Sequence, residues 1–188
     1  MELSLDLNKR YTLKDYLSWT DDVRRELIDG FIKLFPAPST VHADVGGDLF
    51  YILKKFDRKN NIRVFAAPVD LFFCKPTDNK EEKNIVVQPD IFICNEEQVA
   101  DEGVYGAPLM IIEILSSNKK KDKIDKYILY EKYKVNEYLI VNPKTKTCEY
   151  FSHNGEVYDE GMDLTIEDAV ELKCLGGVKI GLKEFLNM

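Results

Sequence analysis

Three apolar runs follow one another between residues 62 and 115: IRVFAAPVDLFFC (62–74), NIVVQPDIFIC (84–94) and APLMIIEIL (107–115). Each is rich in β-branched or aromatic residues, which reads as a strand. A polar loop, KPTDNKEEK, separates the first two. Before them, roughly over 40–56, Val45, Leu49, Ile52, Leu53 and Phe56 recur at helical spacing. After them come an amphipathic segment of about 122–134 and the strand-like EYLIVNP (137–143). Helix, three strands, helix, strand predicts an α/β sandwich with a mixed central sheet, not a long alternating parallel series.

The flanks add smaller elements. TLKDYLSW (12–19) predicts a short helix with Thr12 as N-cap and Asp15 at the capping-box position. In RELIDGFIKLF (25–35), Asp29-Gly30 between apolar runs predicts a hairpin. NPKT turns into TCEYFS, His153-Asn154-Gly155 turns into EVYD, and DLTIEDAVELKCLGGVKIGLKEFL supplies short elements that close the core. Gly46-Gly47 within the first long helix costs about 1 kcal/mol per glycine, which close packing could offset.

A chain of 188 residues suits one domain, taken here as 1–188. With 45% hydrophobic and 31% charged residues, disorder is not expected. No apolar stretch approaches the roughly 18 residues of a membrane span, and MELSLDLNKR lacks the features of a signal peptide, so a cytoplasmic protein is expected. The four cysteines are widely spaced and there are two histidines, which argues against structural zinc. Cys74 and Cys94 read as small core residues. Phosphate-cradling glycine loops are absent. The net charge of −7 argues against a generic nucleic-acid coat, but its distribution is uneven. Residues 119–134 hold seven lysines against three acids, while 154–171 hold seven acids and no Lys or Arg. Such asymmetry can mark a local anion-facing surface, or simply two solvated faces.

Asp90 and Glu113 stand in consecutive predicted strands, each in an apolar context: VVQPDIFIC and LMIIEILSS. Two carboxylates about 4 Å apart repel by roughly 4 kcal/mol at an effective dielectric of 20. A hard divalent cation reverses that repulsion. Alternatively each pairs with a Lys or Arg, or caps a strand end. On the following helix Asp122, Lys126, Tyr130 and Tyr133 share a face, and Ile124 and Ile128 lie on another side from which they can pack inward. Lys126 could then reach the carboxylates and stabilise a developing negative charge, or form only a surface pair with Asp122. Asp70 could line the same site or form a strand-end ion pair. Glu26 could approach it or be a surface charge beside Arg24 or Arg25. His42 could touch phosphate or position water, with helix capping or a polar surface contact as the alternative. Tyr130 and Tyr133 read first as core or rim aromatics. With neither histidine near Ser116 in sequence, serine hydrolase chemistry is not expected.

The ordered set of motifs resembles the Uma-type family of restriction-endonuclease-like proteins, formerly a domain of unknown function, within the PD-(D/E)XK nuclease superfamily. RELIDG, PAPST with His42, PVDLFF, VVQPD, PLMIIEILS and EYLIVNP carry the resemblance over nearly the whole chain. It implies an αβββαβ core with an N-terminal helix and hairpin and a C-terminal β extension. It implies Asp90, Glu113 and the Ile114 backbone as ligands of Mg²⁺ or Mn²⁺, and Lys126 as the catalytic lysine. The superfamily pattern puts a lysine two residues after the Glu; Leu115 stands there, and Lys126 on the next helix is the matching position. The implied activity is metal-dependent endonucleolytic hydrolysis of nucleic acid, DNA before RNA, with two protomers able to cooperate as a homodimer. A catalytically inactive binding or assembly module and a hydrolase of small phosphorylated substrates are the other readings.

Overall fold

The computed structural model describes residues 5–21, 23–116 and 120–187, and of residues 120–122 the backbone alone. The helix α1 (Leu13–Ser18) is capped by Thr12, and the reciprocal Thr12–Asp15 capping box is present. The hairpin β1 (Arg25–Ile28) and β2 (Phe31–Leu34) turns at Asp29 and Gly30, both at positive φ as a tight two-residue turn requires. Then follow α2 (Thr40–Lys54), β3 (Ile62–Ala66), β4 (Leu71–Phe72), β5 (Val86–Val87) and β6 (Ile91–Asn95). A short hairpin, β7 (Val99–Ala100) and β8 (Gly103–Tyr105), leads to β9 (Met110–Ile114). Next come α3 (Lys120–Lys132), β10 (Glu137–Asn142) and β11 (Thr147–Ser152). The chain closes with β12 (Met162–Leu164), β13 (Ala169–Leu172), β14 (Val178–Gly181) and α4 (Lys183–Leu186). EVYD contributes only an isolated bridge between His153 and Tyr158.

The central sheet has the order β12-β11-β10-β9-β6-β3 and is mixed: β9 and β10 are parallel, joined through α3, and the other pairs are antiparallel. This is the expected αβββαβ core. Alternation along its strands sorts the side chains onto two faces. Ile91, Ile93, Met110, Ile112 and Ile114 pack with Val45, Leu49 and Leu53 of α2 and with the C-terminal elements. Phe92, Cys94, Ile111 and Ile140 pack with Leu129 and Tyr130 of α3. A β-carbon on Gly46 would sit 3.3 Å from Ile114 Cδ1, so that glycine allows α2 to approach β9 closely, whereas Gly47 meets nothing.

Two expectations are corrected and one element is added. The runs 62–74 and 84–94 are not single strands. Each is split between the central sheet and a second, smaller sheet of order β2-β1-β5-β4-β8-β7. The breaks fall at Pro68 and Pro89, residues that cannot donate to a ladder, and there the chain crosses from one sheet to the other. The hairpin β7–β8 that edges the smaller sheet was not anticipated. Finally, Ile124 and Ile128 do not pack inward; they are 58% and 56% exposed. Each lies two residues from Lys126, about 200° round the helix. The buried stripe runs instead through Lys126, Leu129 and Tyr130.

Candidate active site

Asp90 lies at the second crossing between sheets, just ahead of β6. The antiparallel register Ile91↔Ile112, continued by two residues, sets Ile114 opposite Pro89. The ladder stops there, and the Asp90 side chain takes the place of a strand partner: its Oδ2 accepts from the Ile114 amide at 2.8 Å. The same oxygen lies 3.0 Å from His42 Nε2, on the first turn of α2. Ser39, not His42, provides the α2 cap, accepting from the His42 backbone amide. Burial pushes the Asp90 carboxyl up, but the His42 contact, the Ile114 amide and the Lys126 charge together bring it below the usual carboxylate range. His42 is shifted up by its bond to Asp90, against an opposing effect of burial.

Glu113 points to the α3 face of the central sheet, two residues from Ile111 on β9. Its Oε1 accepts from Lys126 Nζ at 2.7 Å and from the Tyr130 hydroxyl at 2.6 Å. Burial raises its pKa to about 7, with the Lys126 charge opposing that rise and Asp90 and Glu26 adding to it. Lys126, 5% exposed, also lies 3.2 Å from Oε1 of Glu26, which is fully buried in β1. Glu26 Oε1 in turn accepts from the Gln88 amide at 3.0 Å, while its Oε2 is buried with no described partner. Two chains of hydrogen bonds and ion pairs thus meet: His42–Asp90–Ile114 from the α2 side, and Tyr130–Glu113–Lys126–Glu26 from the α3 side.

The groups face a cleft of about 100 Å³ whose walls include Arg24, Phe35, His42, Asp90, Glu113 and Lys126. Each of the two carboxylates uses one oxygen on protein donors; no described hydrogen bond takes up Asp90 Oδ1 or Glu113 Oε2. No group of three or more His, Cys, Asp or Glu side chains arranged to hold a metal ion occurs among the described residues. A cation here would therefore rest on two carboxylates, with backbone carbonyl and water completing it, a donor set suited to Mg²⁺.

Among the other expected positions, Glu26 and Tyr130 join this network. Asp70 does not enter the cleft. It lies in the connection after β3, accepts from Tyr16 and Gln88 at 2.9 and 2.7 Å, and lines a neighbouring cavity of about 360 Å³. Burial raises its pKa despite those two bonds. The Asp122 side chain lies outside the described residues. Gln88 was overlooked: it lines both cavities and bonds to Asp70, Glu26 and Arg24. Its signal is present in VVQPD, where a second polar residue stands near Asp90 in an apolar run.

No helix among the described residues is long and apolar enough to cross a membrane. No curated protein matches the chain. Its fold is similar to that of "a putative nuclease belonging to DUF820 from Anabaena variabilis ATCC 29413", with a TM-score of 0.74 and 17% identity, over 94% of this chain and 98% of that one. At that identity the likeness speaks for the fold. A family model described as "Putative restriction endonuclease" matches residues 13–182, and the chain accordingly belongs to the Uma2 family.

Proposed function

We propose that the chain is a metal-dependent phosphodiesterase that cuts nucleic acid, with Asp90 and Glu113 as its metal-binding pair. The observation that carries this reading is the pairing of Asp90 with the Ile114 backbone, one residue beyond Glu113, at a cleft both carboxylates line. Mg²⁺ or Mn²⁺ bound there would polarise a phosphate oxygen and acidify a water. The protein's own residues do the rest. His42 and the Ile114 amide fix one oxygen of Asp90, and Lys126 and Tyr130 fix one oxygen of Glu113. Glu26 holds Lys126 from the opposite side, so that the ammonium stays beside the site and balances charge that builds on the substrate.

A second reading has one observation in its favour. Lys126 is buried between two carboxylates, a position in which it can serve to neutralise them alone. The fold would then serve for binding or assembly. Incubation of single- and double-stranded DNA with Mg²⁺ or Mn²⁺ separates the two. Cleavage that disappears in Asp90→Ala supports the nuclease. Absence of cleavage together with no metal-dependent rise in melting temperature supports the inactive module.

A further inference from the structure

With a net charge of −7, affinity for a polyanion has to come from local cations. Among the described residues, Arg24 and Lys126 are the Lys and Arg residues that line the cleft. Lys126 is already held between Glu26 and Glu113. Arg24 is held differently. Its Nε donates to the Gln88 side-chain oxygen at 3.1 Å and its Nη2 to the Gln88 backbone oxygen at 3.3 Å. Its guanidinium carbon lies 5.3 Å from the centre of the Phe35 ring, whose centroid is 5.6 Å from Lys126 Nζ. Arg24 is half-buried, and its Nη1 is not among the buried atoms without a partner. Two of the five guanidinium N–H groups are thus engaged by Gln88, and no described residue accepts from the other three.

This is a cation oriented before any ligand arrives. Gln88 is itself anchored, through its side-chain amide to Asp70 and its backbone amide to Glu26. A planar guanidinium fixed along one edge presents the remaining N–H groups in the geometry that suits two oxygens of a phosphate. We propose that Arg24 receives a backbone phosphate of the substrate in this cleft, and that Gln88 and Phe35 are the residues that position it. The proposal rests on the nucleic-acid reading of the cleft and adds the group that binds the strand as distinct from the groups that act on it. It also assigns a purpose to Gln88, whose hydrogen bonds otherwise link three buried or half-buried charges without an evident reason.

The test uses the full chain in EDTA, where cleavage is not supported, and a fluorescent 20-base-pair DNA duplex and its single strand as probes. Affinity is measured across a range of salt concentrations. Arg24→Gln is expected to weaken binding by about tenfold or more and to lower the slope of log Kd against log salt by about one, the loss of one phosphate contact. Arg24→Lys should keep that slope and lose part of the affinity, because the charge remains and the fork does not. An unchanged salt slope in Arg24→Gln, with wild-type protein binding the probe, overturns the proposal and leaves Arg24 as a bracket for Gln88. If wild-type protein binds neither probe, the nucleic-acid reading fails and this one with it. If it binds but does not cut when metal is supplied, hydrolysis fails while the Arg24 contact is still decided by the salt slope.

Discussion

Two buried glutamates sit on neighbouring strands of the central sheet, Glu113 on β9 and Glu137 at the start of β10, and they are satisfied in opposite ways. Glu137 is 2% exposed and both its oxygens are taken: the Tyr150 hydroxyl and the Lys173 amide donate to Oε2, and the Cys174 amide to Oε1. All three donors are neutral, and two are backbone groups that tie the segment after β13 to the sheet. Glu113 has both of its donors, Lys126 and Tyr130, on a single oxygen, and its other oxygen has no described donor. A carboxylate saturated by neutral donors is a structural fastening. One that is half engaged, cation-bound and in a cleft is equipped for exchange with something that arrives from outside.

Substitution can break or sharpen this contrast. The largest effect is expected from Glu113→Gln. DNA cleavage in Mg²⁺ should fall by about a hundred- to a thousandfold, the scale of losing one key electrostatic group, with the metal-induced rise in melting temperature lost as well. Retained cleavage would place Glu113 in the same class as Glu137. Glu137→Ala should act on stability instead. Urea unfolding is expected to report a loss of about 3–5 kcal/mol, since three buried donors lose their acceptor at once. The folded fraction should still show the metal-induced shift.

A smaller effect of Glu113 is read by pH. The Glu113 pKa of about 7 lies above its ordinary value of 4.5, so the native state favours the protonated form. Its contribution to stability is fully present below about pH 4.5 and is lost as pH rises through about 7. In EDTA the wild-type protein should lose up to about 3 kcal/mol across that window relative to Glu113→Gln, at 1.36 kcal/mol per pKa unit. Parallel unfolding curves for the two proteins would rule this out. The smallest effect is expected from Tyr130→Phe, which removes one of the two donors on Glu113. About 1 kcal/mol of stability should be lost, read from chemical denaturation, with the Lys126 contact preserved.

How much of this could be read in the chain differs by element. The αβββαβ order was legible because long apolar runs and a clear helical period speak for themselves. The division into two sheets was not. The strands β4 and β5 have two residues each, too few to carry a pattern, and their pairing is decided by β1 and β8 far along the chain. Pro89 did mark the break, since it cannot extend the ladder. Along α3 the shared face of Lys126 and Tyr130 does meet Glu113, but Ile124 and Ile128 do not pack inward. Packing of Leu129 and Tyr130, and ion pairs to Glu26 and Glu113, decide the helix's rotation instead. For the site, Asp90, Glu113 and Lys126 line one cleft. Gln88 and Glu137 were visible only as polar letters in apolar runs, because their partners lie 62 and 36 residues away.

The crossing at Pro89 and Asp90 has a mechanical side. Glu113 belongs wholly to the central sheet, whereas Asp90 rides on a short strut whose other end, β5, is fixed in the smaller sheet. Its near end is pinned to the strand of Glu113 by the Ile91–Ile112 pairing and by the bond from the Ile114 amide, so both carboxylates are referenced to one sheet. The packing of the smaller sheet, around Phe72, Val86 and Leu27, anchors the far end of that strut.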